Sequence, residues 1–251
     1  MTAVPPAEPV PTAEPVPTAA PARPRPINGL GTAAAALLAA TGLLYVLPLF
    51  QDWSTYGLIS DHVSGWIGED AFWQQYSASS SLTFVLLMLP IIVAAGITWL
   101  VWVHRARTNA GVMSPEYRFR YSPGFSVAGM VVPFANYWWS RPILEDICIG
   151  SSPDHPADDT VRLVRVWWGI VTGGTLLALF GRPLFPVHVL TYTPDGRLVG
   201  GGAEAVQGVL GTALYNTMLA LVFAPTVVLL AVIVRRVSRQ QTEILFPAQQ
   251  A

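Results

Sequence analysis

The sequence predicts an all-α membrane protein. It should have four transmembrane helices, one interfacial or re-entrant helix, a disordered Pro-rich N-terminal tail and a small extracytoplasmic β-hairpin. Three observations carry this prediction. Four apolar runs occupy about 27–50, 81–103, 166–190 and 206–234 of the 251 residues. Hydrophobic residues make up 52% of the chain and charged residues 12%, a balance rare in soluble domains. The cations are also lopsided: all 14 are Arg, none lies in Gln51–Ser80, and seven lie in His104–Arg165.

Residues 1–26 hold nine prolines and a tandem AEPVPT repeat at Ala7–Thr12 and Ala13–Thr18. Proline fixes φ and donates no backbone hydrogen bond, so an extended, solvated tail is expected. Pro21-Ala22-Arg23-Pro24 matches a PxxP docking strip, but such matches are common in any Pro-rich spacer, and the spacer reading is favoured. The membrane domain then runs over 27–240, and 241–251 form a C-terminal cytoplasmic tail. A helix needs about 20 mostly apolar residues to cross the hydrocarbon core. Ile27–Phe50, Ser81–Val103 and Val206–Val234 meet that length without a charge. The first run is preceded by 26 residues and is itself too long for a cleaved signal, so a retained anchor helix is expected. Val166–Gly181 is short by itself. It needs Arg182 to snorkel or the chain to continue toward Leu190.

Four spans with both termini cytoplasmic place twelve Arg inside and two, Arg182 and Arg197, outside. A fifth span at Tyr121–Ser140 would give eight inside and six outside, a poorer bias. Phe125–Ser140 is apolar but contains Pro133 and Asn136 and is flanked by Arg, so an interfacial or re-entrant helix at about 125–140 fits better. Trp99, Trp102, Trp138, Trp139, Trp167 and Trp168 then fall at the inner interface, where amphipathic rings settle. The first outer loop, Gln51–Ser80, carries Asp52, Asp61, Glu69 and Asp70, with a short helix expected at Glu69–Tyr76. In His188–Val199, β-prone arms flank the turn residues Pro194-Asp195-Gly196 and predict the hairpin.

Polar and aromatic residues concentrate after the second span. They form W-x-x-R-x-R-x-N-A from Trp102 to Ala110, S-P-G-F from Ser122 through Pro123 to Phe125, and P-x-x-N from Pro133 to Asn136. In these motifs, and in hydropathy order from Ser81 to Val234, the chain resembles the bacterial membrane family called domain of unknown function 4328. The resemblance implies an integral protein of the bacterial cytoplasmic membrane with no assigned activity. Pro142 follows Asn136 at a wider spacing than the family pattern implies, so Arg141-Pro142 takes no role from it.

Two readings of the cationic residues stand side by side. Arg105 and Arg107 end a membrane helix on its inner side, where cations anchor topology and favour anionic headgroups. Alternatively Arg105, Arg107, Asn109, Arg118 and Arg120 form an anion or lipid-headgroup site, since planar guanidinium groups suit phosphate. Asn136 either caps backbone broken by Pro133 or contacts a ligand. Gly208, Thr212, Asn216, Ala220 and Ala224 recur every four residues, a small-and-polar face for which Gly169-x-x-x-Gly173 is the expected packing partner.

Net charge is −1, which gives no electrostatic footprint for nucleic acid. Asp154-His155 with Asp158-Asp159 match no strong metal spacing and read instead as the acidic start of a helix. Cys148 stands alone, without a catalytic His and Asp around it. No cofactor, metal or enzymatic role is expected. The leading reading is a non-enzymatic protein that binds lipid, anionic lipid above all, or an unidentified protein partner through its Arg- and Trp-rich cytoplasmic face. The alternative is a passive small-solute or ion pore, or transporter, lined by Asn216, Tyr215 and Asn136.

Overall fold

The computed structural model describes residues 23–78, 82–132, 134–153, 158–185, 191–192, 198–199 and 202–247. Eight α-helices occupy the described residues: α1 (Asn28–Leu44), α2 (Leu47–Val63), α3 (Glu69–Ala78), α4 (Leu82–Met113), α5 (Pro123–Val131), α6 (Ala135–Gly150), α7 (Asp158–Phe180) and α8 (Gly202–Leu245). Four stretches are long and apolar enough to cross a membrane: Asn28–Val63, Met88–Met113, Asp159–Phe180 and Gly202–Leu245. These coincide with the four predicted runs. Of the tail at 1–26, residues 1–22 lie outside the described residues, as do the turn Pro194–Gly196 and Pro133. Near that turn, a two-residue antiparallel bridge pairs Thr191 with Val199 and Tyr192 with Leu198.

Helix runs past two expected ends, in α4 to Met113 and in α8 to Leu245, so that Gln241 and Thr242 of the expected tail are buried in the bundle. Three further boundaries differ from the sequence reading, each for a local reason. The first run does not stop at Phe50. α1 ends in a turn with Tyr45 N–H donating to Gly42 O and Val46 N–H to Leu43 O. Pro48 then sits in the first turn of α2, where its missing N–H costs nothing, and the helix resumes to Val63. Residues 51–63 are therefore helix alongside α8 and not loop. The single helix expected over 125–140 is two helices. Ser122 caps α5 by accepting from Phe125 N–H (3.2 Å). Val132 is extended, as the residue before a proline tends to be, and Phe134 adopts φ 63°. The chain thus reverses between α5 and α6, and α6 runs on to Gly150. In the third run, helix ends at Phe180, before a 3₁₀ turn at Arg182–Leu184. In α8, Pro225 has no N–H to give to Leu221 O, so the backbone ladder is broken locally, and next to the break the Thr226 hydroxyl donates to Phe223 O.

The helices that begin or form the four candidate spans pack in a row, α4–α1–α8–α7. Its two ends, α4 and α7, are tied together by α6, which packs on both. α5 packs on α4 and α6. The main core lies where α6 meets the bundle: Trp102, Val103, Ala106, Ile143, Leu144, Ile147, Val164, Ile233 and Val234. A second, small core, Ile59, Phe72 and Ala205, joins α2, α3 and the start of α8. Leu86, Leu89, Ile97, Leu176, Leu179 and Leu221, on the faces between these cores, are exposed. In water such faces would drive aggregation; in lipid they are solvated.

Two polar rungs bracket that apolar zone. Arg235 Nη1 donates to Thr32 Oγ1 (3.2 Å), and Asn216 Nδ2 donates to Asp52 Oδ2 (2.9 Å). About 20 residues separate the rungs along each helix, which at 1.5 Å per residue is about 30 Å, the thickness of a hydrocarbon core.

Candidate functional site

The end of the bundle capped by α6, the one that the Arg bias leads us to expect on the inner side, carries most of the long-range polar contacts. On α6, Glu145 and Asp146 are 5% and 1% exposed. A carboxylate this deep is costly unless paired and hydrogen-bonded. Glu145 Oε1 accepts from Arg141 Nε (3.0 Å) and Arg165 Nε (3.2 Å), and Arg120 Nη1 approaches Oε2 at 3.7 Å. Asp146 accepts the Arg120 backbone N–H (2.8 Å) and the Tyr117 hydroxyl (3.1 Å). Burial pushes the Glu145 carboxyl up, but the bonds and charges of Arg141 and Arg165 outweigh it and hold the group below its ordinary range. Burial, followed by the charge of Asp146, pushes Tyr117 up. The result is a lock that fastens the α4–α5 connection and α7 to α6.

A second network is made of amides. Asn109 pairs with the backbone of Arg25 on both sides: Oδ1 accepts its N–H (3.0 Å) and Nδ2 donates to its carbonyl (2.9 Å). Asn109 Nδ2 also reaches Gln241 Oε1 (3.2 Å). Gln241 Nε2 donates to Ala106 O (2.9 Å) and Ser151 Oγ (2.7 Å). One turn toward the bilayer, Trp102 Nε1 donates to Ser238 Oγ (2.8 Å). α8 is thereby fixed to α4, and the segment before α1 is splinted along α4.

The five residues expected to form an anion site do not converge. Arg107 is 7% exposed, gives Nε and Nη2 to Tyr121 O (3.1 and 2.8 Å) and lies 3.5 Å over the Phe119 ring. Arg120 is committed to Asp146 and Glu145, and Arg118 is exposed. Arg105 and Asn109 instead border a different cavity, of about 170 Å³, whose other lining residues are Arg23, Arg25, His104 and Thr108. Arg23 and Arg25 were counted for topology in the sequence but not assigned to a site. Nothing in the pattern joins them to α4, which lies some 80 residues away and reaches them through Asn109.

The motif residues are mainly fasteners. Trp102, Arg107 and Asn109 each bind another segment, and Ser122 with Pro123 starts α5. Asn136 lies exposed in the first turn of α6, and its backbone N–H bonds to Val132 O. The reversal between α5 and α6 presents an apolar tip: Phe134 is 89% and Trp138 68% exposed, with Val131 and Val132 beside them. Trp168 of α7 donates to Tyr137 O (3.1 Å), so the tip lies about a turn further along the bundle toward its middle than Trp168.

The small-residue stripe is also rearranged. Gly208 is buried and accepts from the Thr212 hydroxyl, while Asn216 is paired with Asp52. Gly169 and Gly173, its expected partners, face open space. The close approach comes at Gly174, where an added Cβ would sit 2.8 Å from Val222. The face of α7 that meets α8 is thus rotated from the one the spacing marked. Nor do the pore residues line one path. Tyr215 donates to Ala178 O (2.8 Å), beneath Arg182, Asn216 is bonded, and Asn136 sits at the other end of the bundle. Cys148 is buried, and burial, with the charge of Glu145, pushes its thiol up to about 12, which makes it a poor nucleophile. Asp154 and His155 lie outside the described residues, and among those described no His, Cys, Asp and Glu group is arranged to hold a metal.

A family model described as a domain of unknown function (DUF4328) matches residues 70–239. No curated protein and no solved structure match the chain.

Proposed function

The chain belongs to this family of unknown function, and we propose that it is a non-enzymatic, multi-pass protein of the bacterial cytoplasmic membrane. It engages anionic lipid through its inner face, with both termini cytoplasmic and the α5–α6 turn re-entrant in the inner leaflet. The observation that carries this reading is the exposed tip Val131, Val132, Phe134 and Trp138. It is rigidly backed by the Arg–carboxylate lock. Apolar residues this exposed are stable in acyl chains, and Trp favours the headgroup boundary. The Arg bias supports the orientation, since cytoplasmic loops collect Arg. Buried carboxylates neutralised by Arg and a thiol pushed up to about 12 support a structural rather than catalytic interior. The outer bridge Thr191–Val199 is extracytoplasmic in this orientation.

Cysteine labelling in a Cys148→Ser background tests it. A cysteine at Arg118 should react with an impermeant maleimide only in inside-out vesicles, and one at Phe134 should react slowly from both sides. Fast labelling at Phe134 from water, or at Arg118 from outside intact cells, overturns the reading. Phosphatidylglycerol should also co-purify in excess over its share of the membrane, and an unenriched lipid complement would remove the lipid-binding part.

A further inference from the structure

The cavity beside the inner end of α4 is built differently from the rest of the Arg-rich face, and we propose that it binds a phosphate group. That group is presented either by an anionic lipid or by a free phosphate. Arg23, Arg25, His104 and Arg105 line about 170 Å³ of open space with Thr108 and Asn109, and no acidic residue is among the lining. Elsewhere on this face Arg107, Arg120, Arg141 and Arg165 have each found an acceptor. Among the described residues the Arg23 and Arg25 side chains have none, and Arg105 spends one nitrogen, Nη1, on Pro26 O (3.3 Å). A guanidinium carries five donors in a planar fork that matches phosphate oxygens. Three of them around one cavity leave most of those donors unfilled.

The arrangement is pre-set. Asn109 holds the Arg25 backbone by both its N–H and its carbonyl, Arg105 holds Pro26, and Ile27 is fully buried. The short segment bearing Arg23 and Arg25 is thus splinted against α4, so little backbone entropy is lost when a ligand arrives. Depth fits as well. Arg105 lies about one turn, or 5 Å, beyond Trp102, and Asn109 about 10 Å beyond it. Trp102 is bonded to Ser238, about a turn past the Arg235–Thr32 rung. Counted from that rung, the cavity lies about 10 to 15 Å out, at the aqueous border of the headgroup layer, where long Arg side chains reach a lipid phosphate or a dissolved one. Thr108 gives its hydroxyl proton to His104 O (2.8 Å), so toward the cavity it offers only an acceptor. The donors are the guanidiniums and the imidazole.

The inference rests on the inner-face reading only for the lipid source, because a purified protein in detergent has the same cavity. The test therefore uses the full chain in neutral detergent. Titration calorimetry with short-chain phosphatidic acid, short-chain phosphatidylcholine and inorganic phosphate is run on wild type, Arg23→Gln, Arg25→Gln/Arg105→Gln and the exposed control Arg118→Gln. Wild type should bind phosphatidic acid saturably, more weakly as salt rises, and should not bind phosphatidylcholine. The double variant should bind at least tenfold more weakly, Arg23→Gln about threefold to fivefold, and Arg118→Gln as wild type. Arg23→Gln breaks no contact seen in the structure and keeps the proposal falsifiable should the double variant fail to fold. Displacement of the lipid by inorganic phosphate identifies the phosphate alone as the recognised group. Lipid binding that phosphate leaves untouched identifies the headgroup in its lipid. Both support the proposal. Equal binding by Arg23→Gln and wild type, equal binding of phosphatidylcholine, or no saturable binding of either phosphate compound overturns it, whatever the labelling experiment shows.

Discussion

The two ends of the bundle are held by different means. At the inner end, α4, α6, α7 and α8 are joined by side chains that reach across 20 to more than 130 residues of sequence: Arg165 to Glu145, Trp102 to Ser238, Asn109 to Gln241. At the outer end α2 and α8 share Asp52–Asn216 and Trp53–Thr217, and a core of Ile59, Phe72 and Ala205 does the rest. The outer polar contacts are partly exposed, and water or lipid headgroups can replace what is lost there. At the inner end the acceptors and amides, Glu145, Asp146, Asn109 and Gln241, are buried, and nothing replaces a partner lost to them, although the guanidinium groups that meet Glu145 are half-exposed. The same chemical groups should therefore be worth several times more at one end than at the other.

The largest expected loss is Asp146→Ala, which strands the Tyr117 hydroxyl and the Arg120 N–H together. Thermal unfolding in detergent should show a stability lower by about 3 kcal/mol. A change under about 1 kcal/mol would show the lock to be ornamental. Gly31→Ala should cost about 2 kcal/mol, because the new Cβ would meet Ser238 Cβ at 2.6 Å at the α1–α8 crossing. Gly169→Ala and Gly173→Ala, in open space, should stay within about 0.5 kcal/mol of wild type. If all three glycines behave alike, the assigned packing faces are wrong. Trp102→Phe keeps an aromatic ring but removes the indole N–H and some buried volume, leaving Ser238 Oγ without its donor, for about 2 kcal/mol. Asp52→Ala, the outer counterpart, should cost under about 1 kcal/mol.

Acid gives the smallest and most selective change. The Glu145 carboxyl is held below its unfolded value of about 4.3. Its contribution is present in full above that value and disappears as pH falls through the lower, folded one. Melting midpoints should therefore drop more steeply below about pH 4.5 in wild type than in Glu145→Gln. Parallel curves would mean that this carboxyl is not what acid titrates.

Hydropathy located the four helical stretches that are long and apolar enough to span, because length and lack of charge are properties of contiguous residues. The charge bias proposed an orientation for the same reason. Arg107 and Asn109 stood out in the sequence, but the partners that hold them did not. An Arg near a helix end looks the same whether its fork meets a phosphate or the carbonyl of Tyr121, and the carbonyl belongs to no pattern. Asn109 needed Arg25 and Gln241 as partners, each reached only through the fold. Glycine spacing named α8 as the neighbour of α7 but marked the wrong face of α7, because a four-residue period does not distinguish Gly173 from Gly174 as the residue that is approached. Glu145 was partly legible, since Arg141 stands four residues before it on one helix face. Asp146 was not, because its partners come from the α4–α5 connection.

α7 differs from its neighbours in length between charges. Only 16 residues, Val166–Gly181, separate Arg165 from Arg182, about 24 Å of helix against the roughly 30 Å between the polar rungs of α1–α2 and α8. Long cations commonly relieve such a shortfall by stretching toward water. Here Arg165 is tied to Glu145, and Arg182 lies over Tyr215. The shortfall then passes to the surrounding lipid, whose two leaflets must dip toward each other along the α7 edge. Each ångström of dip costs a fraction of a kcal/mol. The edge should collect short or unsaturated chains, and the protein should settle in the thinner regions of a membrane of uneven thickness.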